Sequence, residues 1–174
     1  MRLWGCLIAS VLKASLLPAS VLLASCASYS GAGLAPGEAR LEQVQAAMGT
    51  PALRWQDADG SVQLAYPRGP AGLDTYMVRL APDGRLQSIT NVLEAQFFAR
   101  IRAGMTPDEV LRLIGPPIYH RSAYFEARDE LAWEWRFREV YGTPARFAVL
   151  FDATAGRVRS TLILPEYYGR RRIP

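Results

Sequence analysis

Two periodicities take turns along the chain, and each marks a kind of element. From Leu131 to Arg138 apolar and polar residues alternate strictly: Leu131, Trp133, Trp135 and Phe137 point one way, Ala132, Glu134, Arg136 and Arg138 the other. Period two is the mark of a strand with one dry face and one wet face. Phe147, Val149 and Phe151 continue the pattern beyond a Gly142-Thr143-Pro144 turn, and Val158, Leu162 and Leu164 continue it again. Upstream the spacing becomes helical. Thr106-Pro107-Asp108-Glu109 sets a hydroxyl at the N-cap, proline at N1 and glutamate at N3, which is a capping box. Val110, Leu111 and Ile114 give that helix an apolar side, Gly115 stops it, and Pro116-Pro117 prevents its continuation. A preceding helix is expected with Asn91 as its cap, Glu94 at N3, Phe97, Phe98 and Ile101 inside, and Gly104 at its end.

A fainter copy of this order lies earlier in the chain. Pro36-Gly37 through Leu41, Val44 and Met48 to Gly49-Thr50-Pro51 echoes the capped helix, and Val62, Leu64 and Tyr66, then Tyr76, Val78 and Leu80, make two alternating strands. The Asp83-Gly84-Arg85 turn parallels Gly156-Arg157. Repetition at this spacing predicts two copies of one unit. Each reads as one or two helices packed on a three-stranded antiparallel meander, so the fold class expected is α+β.

The N-terminus has another character. Met1-Arg2 opens a largely apolar stretch broken by Lys13 and Pro18, too interrupted to be a membrane span of about 20 apolar residues. It ends in Leu23-Ala24-Ser25-Cys26, which resembles the lipobox of bacterial lipoproteins, an aliphatic and two small residues before the acylated cysteine. The resemblance implies a signal peptide over residues 1–25, cleavage before Cys26, and diacylglycerol on its sulfur with a further acyl chain on the new N-terminus. Two or more chains give stable anchoring where one does not. Residue 27 is alanine and not aspartate, which by the sorting rule of such lipoproteins implies the outer membrane, facing the periplasm. Residues 26–35 are expected to be a spacer, reaching roughly 30 Å at about 3.5 Å per residue.

The run Ile101-Arg102-Ala103-Gly104-Met105-Thr106 to Gly115-Pro116-Pro117, the strand around Trp133, and Val149-Leu150-Phe151-Asp152 followed by Gly156-Arg157-Val158 are similar to the BamE (SmpA/OmlA) domain. That resemblance implies small outer-membrane lipoproteins with two helices on a three-stranded sheet, one of which serves the machine that inserts β-barrels. It divides the mature chain into a first, degenerate unit over residues 36–93, a second over residues 94–165 and a basic tail over residues 166–174. A tandem pair also resembles the architecture of proteinaceous β-lactamase inhibitors, which bind enzymes across a concave sheet. A protein partner is expected in either case.

Composition narrows the chemistry. Taking Arg2 and Lys13 from the 20 basic residues leaves 18 against 16 acidic ones, a net charge of +2 for the processed chain of this 174-residue precursor. Arg170-Arg171-Arg172 reads as a solvated tail and not as a basic stripe for nucleic acid. With Cys6 in the leader, Cys26 stands alone and no disulfide or Cys/His zinc site is expected. His120, the one histidine, has no companions for catalysis or metal binding, and Asp57/Asp59 and Asp129/Glu130 fall in turns. Neither enzymatic activity nor a cofactor is expected. Trp133 and Trp135 are read as core. The opposite face of their strand, with Glu134, Arg136 and Arg138 and with Arg159 nearby, is the candidate for binding a partner, because arginine pairs with carboxylates through a planar fork.

Overall fold

In the computed structural model, which describes residues 30–69, 72–118 and 121–166, the chain is mostly β. Eight strands form two four-stranded antiparallel sheets with a few short helices. This corrects the expected α+β pair of three-stranded meanders. The strands that went unforeseen are the first of each sheet, β1 (Leu53–Gln56) and β5 (Ala123–Phe125). Both are edge strands of three or four residues, too short to set up a period of their own.

The first sheet runs β1-β2-β3-β4, with β2 at Val62–Pro67, β3 at Thr75–Leu80 and β4 at Leu86–Asn91. Helix α1 (Leu41–Met48) covers one of its faces, where Val44 and Met48 meet Leu64, Val78, Leu80 and Leu86. The chain is folded well before α1. Gly31 is buried, and a Cβ there would strike the side chains of Ile89 and Met48, while Leu34 packs on the same cluster. The stretch expected to be free spacer through Ala35 therefore belongs to the first unit from Gly31 on.

The second sheet runs β5-β6-β7-β8, with β6 at Glu130–Arg138, β7 at Pro144–Asp152 and β8 at Arg157–Pro165. Helices α2 (Ala95–Phe98) and α3 (Pro107–Ile114) lie on its dry face. α3 starts on the capping box read from the sequence: Thr106 N–H donates to Glu109 Oε2 at 2.7 Å and Glu109 N–H to Thr106 Oγ1 at 3.2 Å. α2 is a single turn with Glu94 at its N-cap position but no side-chain cap, not the longer helix expected. Asn91 ends β4 instead, where its Oδ1 accepts from Thr75 N–H and Leu93 N–H, both at 3.2 Å.

The two sheets share one core. Ala65 and Met77 reach through the far face of the first sheet into the same cluster as Phe98, Val110, Ile114, Trp135, Phe147 and Phe151. β2 is thus buried on both faces, including Gln63, whose Nε2 donates to Arg112 O at 2.6 Å. Arg112 holds Asp57 at 2.7 Å and Asp108 at 3.2 Å, and Trp55 Nε1–H donates to Asp108 Oδ1 at 3.0 Å. Asp57, expected to be solvated in a turn, is thereby tied to α3. Gly115 allows the closest approach: its φ is +75°, and a Cβ there would come within 2.7 Å of Thr75 Cγ2 on β3.

Candidate interaction face

The wet face of the second sheet follows from register. Ala132, Glu134 and Arg136 on β6 sit opposite Leu150, Ala148 and Arg146 on β7, which sit opposite Ser160, Leu162 and Leu164 on β8. One extra residue in β8, Arg159, breaks the alternation between Val158 and Ser160. Val158 therefore joins the core beside Phe151, while Leu162 and Leu164 turn outward; the sequence pattern placed all three on one side.

The face has an apolar middle and a charged rim. Ala132 and Ala148 are buried, and Leu150, Leu162 and Leu164 are half-buried. Around them Arg146 Nη1 bonds both Glu134 oxygens at 3.2 and 2.9 Å, and Arg136 Nε bonds both Glu166 oxygens at 3.1 and 2.9 Å. At the far end Arg159 grips Asp152 at 2.6 Å and the Arg128 carbonyl at 2.7 Å, and Arg128 pairs with Glu130 at 2.9 Å. Of the residues singled out from the sequence, Glu134 and Arg136 stand side by side, each locked by a partner on the next strand or beyond it. Arg138 is exposed at the end of β6, opposite Pro144. Arg146, Glu166, Leu162 and Leu164 were missed. Arg146 comes across from Arg136 because the hairpin is centred on Tyr141, with Glu139 N–H donating to Thr143 O at 2.9 Å; counting outward from Gly142-Thr143 alone would have paired Arg136 with Val149.

Asp129 and Glu130 are structural. Asp129 takes a left-handed backbone (φ 45°), its Oδ2 accepts from Thr154 N–H at 3.1 Å and its Oδ1 from the Tyr124 hydroxyl at 3.2 Å. The bond from Thr154 holds its carboxyl below the usual range. The Asp152 carboxyl is also lowered, first by the Ala155 N–H and then by Arg159. A carboxylate whose folded pKa is depressed adds stability that is fully present above its unfolded value and lost as pH falls through its folded value. The urea midpoint should therefore be flat from neutral pH down to the ordinary carboxylate range and fall steeply below it. Asp129→Asn should shrink that fall; a midpoint indifferent to acid would contradict these assignments.

Cys26, His120 and Arg170-Arg171-Arg172 lie outside the described residues. Among the described residues no group of three or more His, Cys, Asp or Glu could hold a metal ion, and no helix is long and apolar enough to cross a membrane. A cavity of about 340 Å³ between the sheets is lined by Ala52, Pro67, Leu93, Pro116 and Trp135. Its two ionisable groups are engaged, Asp74 with Asn91 Nδ2 at 2.9 Å and Arg136 with Glu166.

No protein-family model matches the chain, and no curated protein matches it. A solved structure to which it is similar is that of an extracellular protein containing a SCP domain from Bacillus anthracis str. Ames, at 9% identity and a TM-score of 0.29, covering 91% of this chain and 50% of that one. The chain spans about half the length of that protein, and a likeness this slight carries no statement about fold or activity.

Proposed function

We propose that this is a non-catalytic lipoprotein of the outer membrane, facing the periplasm, that binds another protein through the outer face of its second sheet. What carries the reading is the make-up of that face. An apolar centre of Leu150, Leu162 and Leu164 inside a rim of arginine–carboxylate pairs is the arrangement of a protein interface, where the middle supplies affinity and the rim supplies specificity. The anchor is supported by Leu23-Ala24-Ser25-Cys26. The likeness of residues around Gly104–Pro117 and Trp133 to the barrel-assembly lipoproteins supplies the partner class, a subunit of envelope or outer-membrane protein assembly.

The test is affinity purification of the tagged, acylated protein from gently solubilised envelopes, with Cys26→Ala as control. Co-purification of barrel-assembly subunits, dependent on Cys26, is the expected result. Recovery of one periplasmic enzyme would replace it with an inhibitor or sensor that grips an enzyme on the same face. Recovery of no protein would remove both readings.

A further inference from the structure

Between the first sheet and the helices that follow it lies a small hollow of about 90 Å³. Its floor is apolar: Met77 and Val92 are buried in the shared core, and Leu113 packs against that core. Its walls are cationic. Arg79 comes from β3, Arg100 from the turn after α2, and Arg112 from α3. Ser88 and Thr90 on β4 add two hydroxyls, and no carboxylate lines the space. Register brings these groups together. Arg79 sits directly opposite Ser88 and Met77 opposite Thr90, so all four lie on the face of the sheet that packs into the shared core. α3 is pinned beside them, because Gln63, across from Arg79 on β2, donates to the Arg112 carbonyl.

The three arginines differ in what answers them. Arg112 is engaged: Asp57 at 2.7 Å and Asp108 at 3.2 Å balance its charge, and its guanidinium lies 5.6 Å from the Trp55 ring centre. Among the described residues neither Arg79 nor Arg100 has an ion pair or a side-chain hydrogen bond, and the Ser88 and Thr90 hydroxyls have no partner either. Two unanswered charges and two open hydroxyls therefore share a hollow with an apolar floor, where low-dielectric walls focus a field of one sign. We propose that this hollow binds a phosphate-type oxyanion, either inorganic phosphate or the terminal phosphate of a monoester. Two free guanidinium charges match a dianion, each fork can take two of its oxygens, and the hydroxyls can donate to the rest. A carboxylate brings one charge and two oxygens and leaves half of these donors idle. A phosphodiester brings one charge and two substituents, for which so small a hollow has no room. The site lies on the first sheet and stands whatever the outer face of the second sheet binds.

The test is calorimetric titration of the full-length protein, held in nonionic detergent at low salt, with inorganic phosphate, glycerol 3-phosphate and dimethyl phosphate. A single site for one or both of the first two is expected, with dimethyl phosphate at least about tenfold weaker. Arg79→Gln and Arg100→Gln should each weaken binding by about tenfold or more, the loss of a charge-assisted contact. Arg54→Gln removes an equal charge from an exposed arginine on the opposite face of the same sheet and should leave binding within about twofold, since distant exposed charges are screened. Arg79 and Arg100 are exposed, so a urea curve should show the fold of both variants intact. Inorganic phosphate bound as tightly as glycerol 3-phosphate supports the site with a free ion as its ligand; tighter binding of glycerol 3-phosphate supports it with an end group. Binding of neither, equal binding of the diester, or equal weakening by all three arginine variants overturns the proposal.

Discussion

Trp135→Ala should cost about 3–5 kcal/mol of unfolding free energy, the range for emptying a large aromatic site in a packed core. Trp135 is 1% exposed, lies 6.3 Å from the rings of both Trp133 and Phe147, and donates its indole N–H to Gly115 O at 3.2 Å. Alanine removes the ring contacts and leaves that carbonyl buried without its donor. Because domains of this size hold only about 5–15 kcal/mol, the variant should sit near the threshold of folding. The shared core makes a further demand. Ala65 and Met77 of the first sheet belong to the same cluster, so both sheets should unfold in one transition, earlier in the variant. Urea curves read by far-ultraviolet dichroism and by tryptophan fluorescence should coincide. Two separated transitions would mean that the sheets are energetically independent, and a loss under about 1 kcal/mol would mean that Trp135 is not a packed core site.

The second large effect is on binding. Truncating Leu162 and Leu164 together to alanine should weaken capture of the partner about thirtyfold, equivalent to ~2 kcal/mol at the centre of an interface. Both residues are half-buried at an edge strand, so the same change should take only about 1–2 kcal/mol from stability. Quantitative pull-down against a dilution series, alongside a urea curve, separates the two. Unchanged capture would place the binding surface elsewhere on the molecule.

Local signals were legible in the sequence and cross-chain ones were not. The helix from Pro107 to Ile114 is written in Thr106, Pro107, Glu109 and Gly115, all within ten residues, and the dry face of β6 is written in the alternation from Leu131 to Phe137. The edge strands left no such mark. Leu53 and Trp55 alone carry the apolar side of β1, and Tyr124 and Phe125 of β5 are exposed. Asn91 has the chemistry of a helix cap, but the backbone N–H of Thr75, sixteen residues away, draws its side chain to the end of a strand. The sharing of one core by the two sheets depends on Ala65 and Met77, which an alternation of Leu64, Tyr66 and Val78 on the other side hides. For the candidate face, Glu134 and Arg136 were readable from β6, whereas the apolar middle depends on the extra residue Arg159, a feature of pairing and not of period.

The early folding of Gly31 bears on how strong the sheet-face contact has to be. With only a few residues between Cys26 and the folded body, an acylated molecule would search for its partner in a thin layer over a surface, not in a volume. Short flexible connections raise the local concentration of the attached module to the order of millimolar. A partner held on the same membrane would then be bound nearly all the time by a face whose intrinsic dissociation constant is only micromolar. Measured on the unacylated chain free in solution, that face would look too weak to matter, and the discrepancy would be a property of geometry and not of the side chains.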